Sequence, residues 1–217
     1  MSVEITKQQT LSQKAYAMIK NNLQNGVYRG YINGRQVARE LDIGFTPVRE
    51  AFLRLQNEGL IQRVDNVGYF VNQVDLKGLM SIFQVRECIE MYVWEQAFDL
   101  ITEEDVQRME EIHERECQYF REGKTREYVQ MDIALHSVLL ERFGNEDLTA
   151  LYRNVRERNL ICPVKTAKKD SEAAMEEHRE WIRCVTSGDR EKTLECIRQH
   201  TNNTKMRMKE GYIAFYA

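Results

Sequence analysis

Proline is almost absent from this 217-residue chain: only Pro47 and Pro163 occur. So few helix breakers over that length point to a mainly helical protein. Long apolar runs are also missing, and no uninterrupted stretch approaches the roughly 20 residues that a membrane span requires. The opening residues Met1-Ser2-Val3-Glu4 show no basic segment followed by an apolar one, so no secretory signal is expected. The five cysteines (Cys88, Cys117, Cys162, Cys184 and Cys196) are odd in number and form no C-x-x-C pair. That excludes a disulfide framework and a cysteine zinc site, and reads as the reduced thiols of a cytoplasmic protein. A strong positive charge is lacking as well, with 31 Lys and Arg against 34 Asp and Glu. The balance is uneven: residues 1–75 carry 9 bases against 7 acids, which leaves 22 against 27 for the remainder. A mildly basic head on an acidic body is compatible with DNA binding by the head.

What is present is periodic. Leu11, Ala15, Met18, Ile19 and Leu23 step at helical spacing and stop near Asn25-Gly26. A second short helix fits Arg35 to Leu41, a turn follows at Asp42-Ile43-Gly44, and a third helix fits Pro47 to Glu58, with Thr46 as N-cap and Pro47 at the first helical position. Beyond Gly59 the period changes. Leu60 to Val64 and Tyr69 to Val71 read as short strands around the turn Asp65-Asn66-Val67-Gly68, which makes a β-hairpin. After a short linker, Asn72 to Asp75, helical patterns run over 77–100, 102–122, 124–142, 145–160, 168–187 and 189–210, with Gly123, Gly144 and Gly188 at breaks. The expected fold is therefore mostly α: a winged helix-turn-helix of three helices plus a hairpin over residues 1–75, then an all-α bundle of about six helices over 76–217.

Two short helices joined by a tight turn place the second one in the DNA major groove, N-terminus first. Phe45, Thr46, Val48 and Arg49 would then face the nucleic acid, with Arg49 suited to a phosphate or a guanine edge. Arg35 would hold the backbone, and Gly68 would let the hairpin tip approach the minor groove. The stretches Arg35-Gln36-Val37-Ala38-Arg39-Glu40-Leu41, Gly44-Phe45-Thr46-Pro47-Val48-Arg49-Glu50-Ala51 and Glu58-Gly59-Leu60 resemble the head of GntR-type bacterial regulators. That family usually has Arg where this chain has Phe45, and a common wing Arg where Asn66 and Val67 stand. Phe45 either contacts a thymine methyl or leaves the DNA untouched, so the usual operator preference does not carry over.

Only four histidines occur. His136 follows Asp132 by four residues, which on a helix puts both on one face. His178 and His200 lie 10 and 12 residues either side of Gly188. At about 1.5 Å per residue they fall at nearly the same level of an antiparallel helix pair. Asp132, His136, His178 and His200 are thus candidate ligands for a divalent cation, zinc first, with nickel or manganese as alternatives. The opposing reading is of separate core or surface histidines, and His113, in the charged stretch Glu110 to Glu116, is read that way. Asp132-x-x-x-His136, Glu177-His178-Arg179 and Gly188-Asp189 to His200 resemble the C-terminal FCD domain of the FadR-like branch of GntR regulators. The resemblance implies a metal held by one Asp and three His, which either helps bind a carboxylate effector or stabilises the bundle. Arg86, Arg153, Asn154 and Arg158 are candidate effector contacts. Met91, Tyr92, Trp94, Phe98, Phe143 and Trp181 read as core or dimer interface.

The resulting expectation is a homodimeric transcription regulator, a repressor rather than an enzyme. It would bind an inverted-repeat DNA operator and release it when an organic or sugar acid binds the bundle. The alternative is a metal-dependent enzyme built on the Asp/His cluster.

Overall fold

A computed structural model describes residues 10–162 and 168–216. Its chain divides into two compact units. The first runs up to Val74 and regains the segment from Glu157; the second comprises Asp75–Arg156 and the chain beyond the described gap.

In the first unit, helix α1 (Leu11–Gln24) starts at a capping box: the Thr10 hydroxyl accepts from the Gln13 N–H, and the Gln13 side chain accepts from the Thr10 N–H. It buries Ala15, Ile19 and Leu23, one stripe at a four-residue step. Strand β1 (Tyr31–Ile32), helix α2 (Gly34–Glu40), helix α3 (Phe45–Asn57) and strands β2 (Ile61–Val64) and β3 (Gly68–Val71) follow. The strands form an antiparallel sheet in the order β1-β3-β2, with Gln62 opposite Phe70 and Tyr31 opposite Phe70 on the other side. Val48, Ala51, Phe52 and Leu55 of α3 pack with Val37 of α2, the α1 stripe and Ile61 of β2. Helix α3 begins two residues earlier than Thr46 suggests. Gly44 is the N-cap residue, with φ of −55° and ψ of 152°, so Thr46 lies inside the first turn and does not cap. Strand β1 was not anticipated, because two residues carry no period.

The second unit contains helix α4 (Leu76–Ala97), a single 3-10 turn (Phe98–Leu100), and helices α5 (Glu103–Arg121), α6 (Thr125–Phe143), α7 (Glu146–Leu160), α8 (Lys168–Thr186) and α9 (Arg190–Tyr216). The last turn of α7 falls in the first unit. Asp75 caps α4 through the Gly78 N–H, and Thr102 forms a capping box with Asp105 on α5. The core joins Val93 and Trp94 of α4, Met109 of α5, Leu135 and Leu139 of α6, Tyr152 of α7, Trp181 of α8 and Ile197 of α9. Trp94 and Trp181 meet edge-to-face with centroids 5.2 Å apart. Helices α8 and α9 form a hairpin over Gly188, whose φ of +70° is the left-handed conformation that ends α8. Helix α9 continues to Tyr216, beyond the end at residue 210 that the pattern predicts. No helix among the described residues is long and apolar enough to cross a membrane.

Candidate metal centre

Helices α6, α8 and α9 bring three imidazoles to one point. His136, His178 and His200 are all buried, and each offers a nitrogen within 4.8 Å of the others. Nε2 of His178 lies 3.3 Å from Nε2 of His136 and 3.3 Å from Nε2 of His200. The far side of each ring faces a carboxylate. Nδ1 of His200 donates to Glu177 at 2.8 Å, and Nδ1 of His178 donates to Glu116 at 3.0 Å. Nδ1 of His136 stands 3.4 Å from Glu90. These partners place the protons on Nδ1 and turn three Nε2 lone pairs toward a common centre.

Such lone pairs repel unless something positive lies between them. Burial, and then the neighbouring Arg86 charge, hold His136 well below the ordinary imidazole value. Burial and then the His178 charge lower His200 to about 4. Burial also pushes His178 down, but Glu116, through charge and hydrogen bond, and then Asp132 outweigh it, so His178 is raised. A divalent cation fits this donor set of buried imidazole nitrogens. Tetrahedral zinc with Zn–N of about 2.0–2.1 Å holds its nitrogens roughly 3.3–3.4 Å apart, which matches the observed spacing.

Asp132 lies at the edge of this group. Its Oδ1 is 3.7 Å from His178 Nε2 and 4.0 Å from His136 Nε2, while Oδ2 accepts from Arg156. Burial raises its carboxyl, but Arg156 and then Arg86 overcome that and hold it well below the usual carboxylate range. Arg86 donates from Nη2 to His136 Nε2 at 2.9 Å and from Nε to Glu90 at 2.7 Å. Glu90 also accepts from the Tyr152 hydroxyl at 2.8 Å. A cation held through His136 Nε2 therefore displaces the Arg86 hydrogen bond.

Several expected residues fall elsewhere. Arg153 is exposed on α7, turned away from the buried face that Tyr152 and Arg156 share. Arg158 lies beside Gly59 in the first unit, and Asn154 is half-buried. Of the proposed effector contacts, Arg86 reaches the histidines, through His136. Arg156, four residues after the buried Tyr152 on the same helix face, and Glu90, four after Arg86, also stand here and were not expected from the sequence. His113, expected to stand apart, belongs here too. That ring is buried and donates from Nδ1 to Glu116 at 3.0 Å, so one carboxylate serves His113 and His178 together.

On the first unit, Arg35, Thr46 and Arg49 are exposed, while Val48 is buried in the core and cannot face a ligand. Phe45 is 45 % exposed, and its ring edge packs over Gly34 at the start of α2. Gly68 has φ of +142°, and a Cβ there would meet the Tyr31 ring at 2.7 Å. The hairpin thus needs this glycine for its own packing, whatever it approaches outside.

Comparison with known proteins agrees with this architecture. The FCD domain family matches residues 81–203, and the family of bacterial regulatory proteins called gntR matches residues 11–71. The chain is 23 % identical over 193 residues to the HTH-type transcriptional regulator YdhC of Bacillus subtilis, covering 87 % of this chain and 86 % of that one. It is 19 % identical to the gluconate operon transcriptional repressor of Bacillus licheniformis, over 84 % of this chain and 78 % of the relative. Among solved structures it resembles Escherichia coli McbR/YncC, with a TM-score of 0.79 at 17 % identity, covering 94 % of this chain and 100 % of the other.

Proposed function

Since the chain belongs to the GntR family of DNA-binding transcriptional regulators and carries an FCD domain, we propose that it represses transcription as a homodimer and leaves its operator when a small carboxylate enters the bundle. In this reading Asp132, His136, His178 and His200 hold a divalent cation, zinc before nickel or manganese. Arg35, Thr46 and Arg49 meet the DNA, and two heads read an inverted repeat. A bound cation supplies a fixed positive charge that attracts a carboxylate. The supporting observation is the set of convergent Nε2 atoms, each backed by a carboxylate.

The chain's own residues suit an anionic ligand beside that cation. Arg86 and Arg156 are buried guanidinium groups at the histidines, and Arg156 Nε has no hydrogen-bond partner among the described residues. A carboxylate could accept from that donor and from Arg86 in a bidentate manner. Release from DNA requires the ligand to bind one arrangement of the protein more tightly than the other. The alternative of a metal-dependent enzyme finds no support in the comparisons.

The test starts from genomic DNA fragments that the purified protein itself selects. Hydroxy acids and sugar acids are then titrated into the complex, with zinc-loaded wild type and with His178→Ala/His200→Ala. At least one acid is expected to weaken wild-type DNA binding by about 5–150-fold and to leave the variant unaffected. Equal responses, or none from either protein across the panel, would contradict the reading.

A further inference from the structure

Away from the histidines, the α8–α9 hairpin holds a second chemical group. Cys184 on α8 and Cys196 on α9 are both free thiols, and their sulfurs lie 3.3 Å apart. Their separation of twelve residues across the Gly188 turn gives no motif in the sequence, yet the antiparallel helices set them face to face. A disulfide has S–S of about 2.03–2.05 Å, so the sulfurs need to close by only about 1.2–1.3 Å. Cys184 is buried and Cys196 is partly exposed. The Cys184 thiol also reaches Glu180 Oε1 at 3.9 Å, and Lys192 Nζ stands 3.5 Å from the same oxygen. Thus one residue of the pair is partly exposed, while the other is buried with a carboxylate beside its sulfur.

We propose that Cys184 and Cys196 are a redox-reactive thiol pair that hydroperoxides convert to an intramolecular disulfide, fastening α8 to α9. The steps balance. Cys196 Sγ, on the partly exposed residue of the pair, attacks the terminal oxygen of ROOH; the O–O bond breaks, the leaving alkoxide takes the Cys196 thiol proton and departs as ROH, and Cys196 becomes a sulfenic acid. Cys184 Sγ then attacks the Cys196 sulfur and the S–O bond breaks. Glu180 receives the Cys184 proton and passes it to the leaving hydroxide, which departs as water. In sum, two thiols and one hydroperoxide give one disulfide, one alcohol and one water. The second step is intramolecular between atoms already in contact, so the sulfenic acid is short-lived. Burial, and then the hydrogen bond to Cys184, push the Cys196 thiol up to about 12, so the reaction accelerates as the solution becomes more alkaline. The bond would join the two helices that carry His178 and His200. It lies six residues after the first and four before the second, or about 9 and 6 Å along the helices.

The experiment treats the reduced full-length protein with tert-butyl hydroperoxide, blocks the remaining thiols and maps peptides without reduction. The expected result is no disulfide between chains, titratable thiols reduced from five to three, and one peptide linking residues 184 and 196. In Cys184→Ser the sulfenic acid on Cys196 should persist and be captured by dimedone, whereas wild type should give almost none. The wild-type map decides the matter if a serine variant misfolds. The proposal is overturned if the cross-link joins other cysteines or two chains. It is equally overturned if both sulfurs stay thiols under a dose that oxidises the exposed Cys88.

Discussion

Replacing Glu116 with glutamine isolates the contribution of the groups behind the histidines. Glu116 is wholly buried and accepts from two imidazoles, His178 at 3.0 and 3.1 Å and His113 at 3.0 Å. Glutamine has nearly the same shape but keeps only one acceptor oxygen and turns an NH2 toward the other site. The His178 Nδ1–H, which lies within 3.1 Å of both carboxylate oxygens, then faces the amide NH2 in either orientation, and the Glu116 charge that raises His178 disappears. Carboxylates in this position typically contribute about 10–100-fold to metal affinity, equivalent to roughly 1.4–2.7 kcal/mol. Glu116→Gln should therefore raise the zinc dissociation constant by about 10–100-fold and leave helical content unchanged. Competition against a chromogenic chelator measures the affinity, and circular dichroism checks the fold. A folded variant that binds zinc within about twofold of wild type would refute the argument, because the lost orienting bond alone should exceed that.

Other outcomes follow from the same geometry. Arg49→Ala should weaken DNA binding by about 1–3 kcal/mol and flatten its salt dependence, by fluorescence anisotropy at several salt concentrations; unchanged binding would remove Arg49 from the interface. Gly68→Ala should destabilise the first unit by about 1–3 kcal/mol in thermal melts, since φ of +142° is strained for alanine and its methyl meets Tyr31. Asp105 accepts two bonds from Arg142 at 2.8 Å and two from Thr102. Its loss in Asp105→Ala should cost about 1–2 kcal/mol at neutral pH in urea titrations, after allowance for the partly exposed Arg142. Burial raises the Asp105 carboxyl, but the Arg142 and Thr102 bonds outweigh it and leave it lowered. The carboxylate's contribution is thus complete above the ordinary aspartate value of about 3.9 and is lost as pH falls through the lower folded value. The gap between wild type and variant should narrow below about pH 4, and a gap that widened there would reverse the assignment.

The parts of the site that lay on single helices, or at fixed distances from one turn, were legible in the sequence. Asp132 and His136 are one turn apart on α6, and counting back from Gly188 aligns His178 with His200, whose nitrogens do meet at 3.3 Å. The supporting groups were not legible in the same way. Glu90, Glu116 and Arg156 lie on α4, α5 and α7 as polar residues within largely apolar faces. Only the packing of separate helices brings them to the imidazoles. His113 looked like part of a solvated charge run, yet the same packing buries it. In the first unit, the two-residue strand β1 was too short to show a period. Thr46 had the right chemistry for an N-cap but lost the position to Gly44, where the helix starts two residues earlier.

The proposed divalent cation lies among the buried imidazoles of α6, α8 and α9. Metal content is the decisive measurement, on wild type and His178→Ala/His200→Ala purified without chelators and dialysed against zinc. About one equivalent per wild-type chain is expected, as a single zinc site requires, and almost none in the folded variant. The same negligible content in both proteins would contradict the proposal.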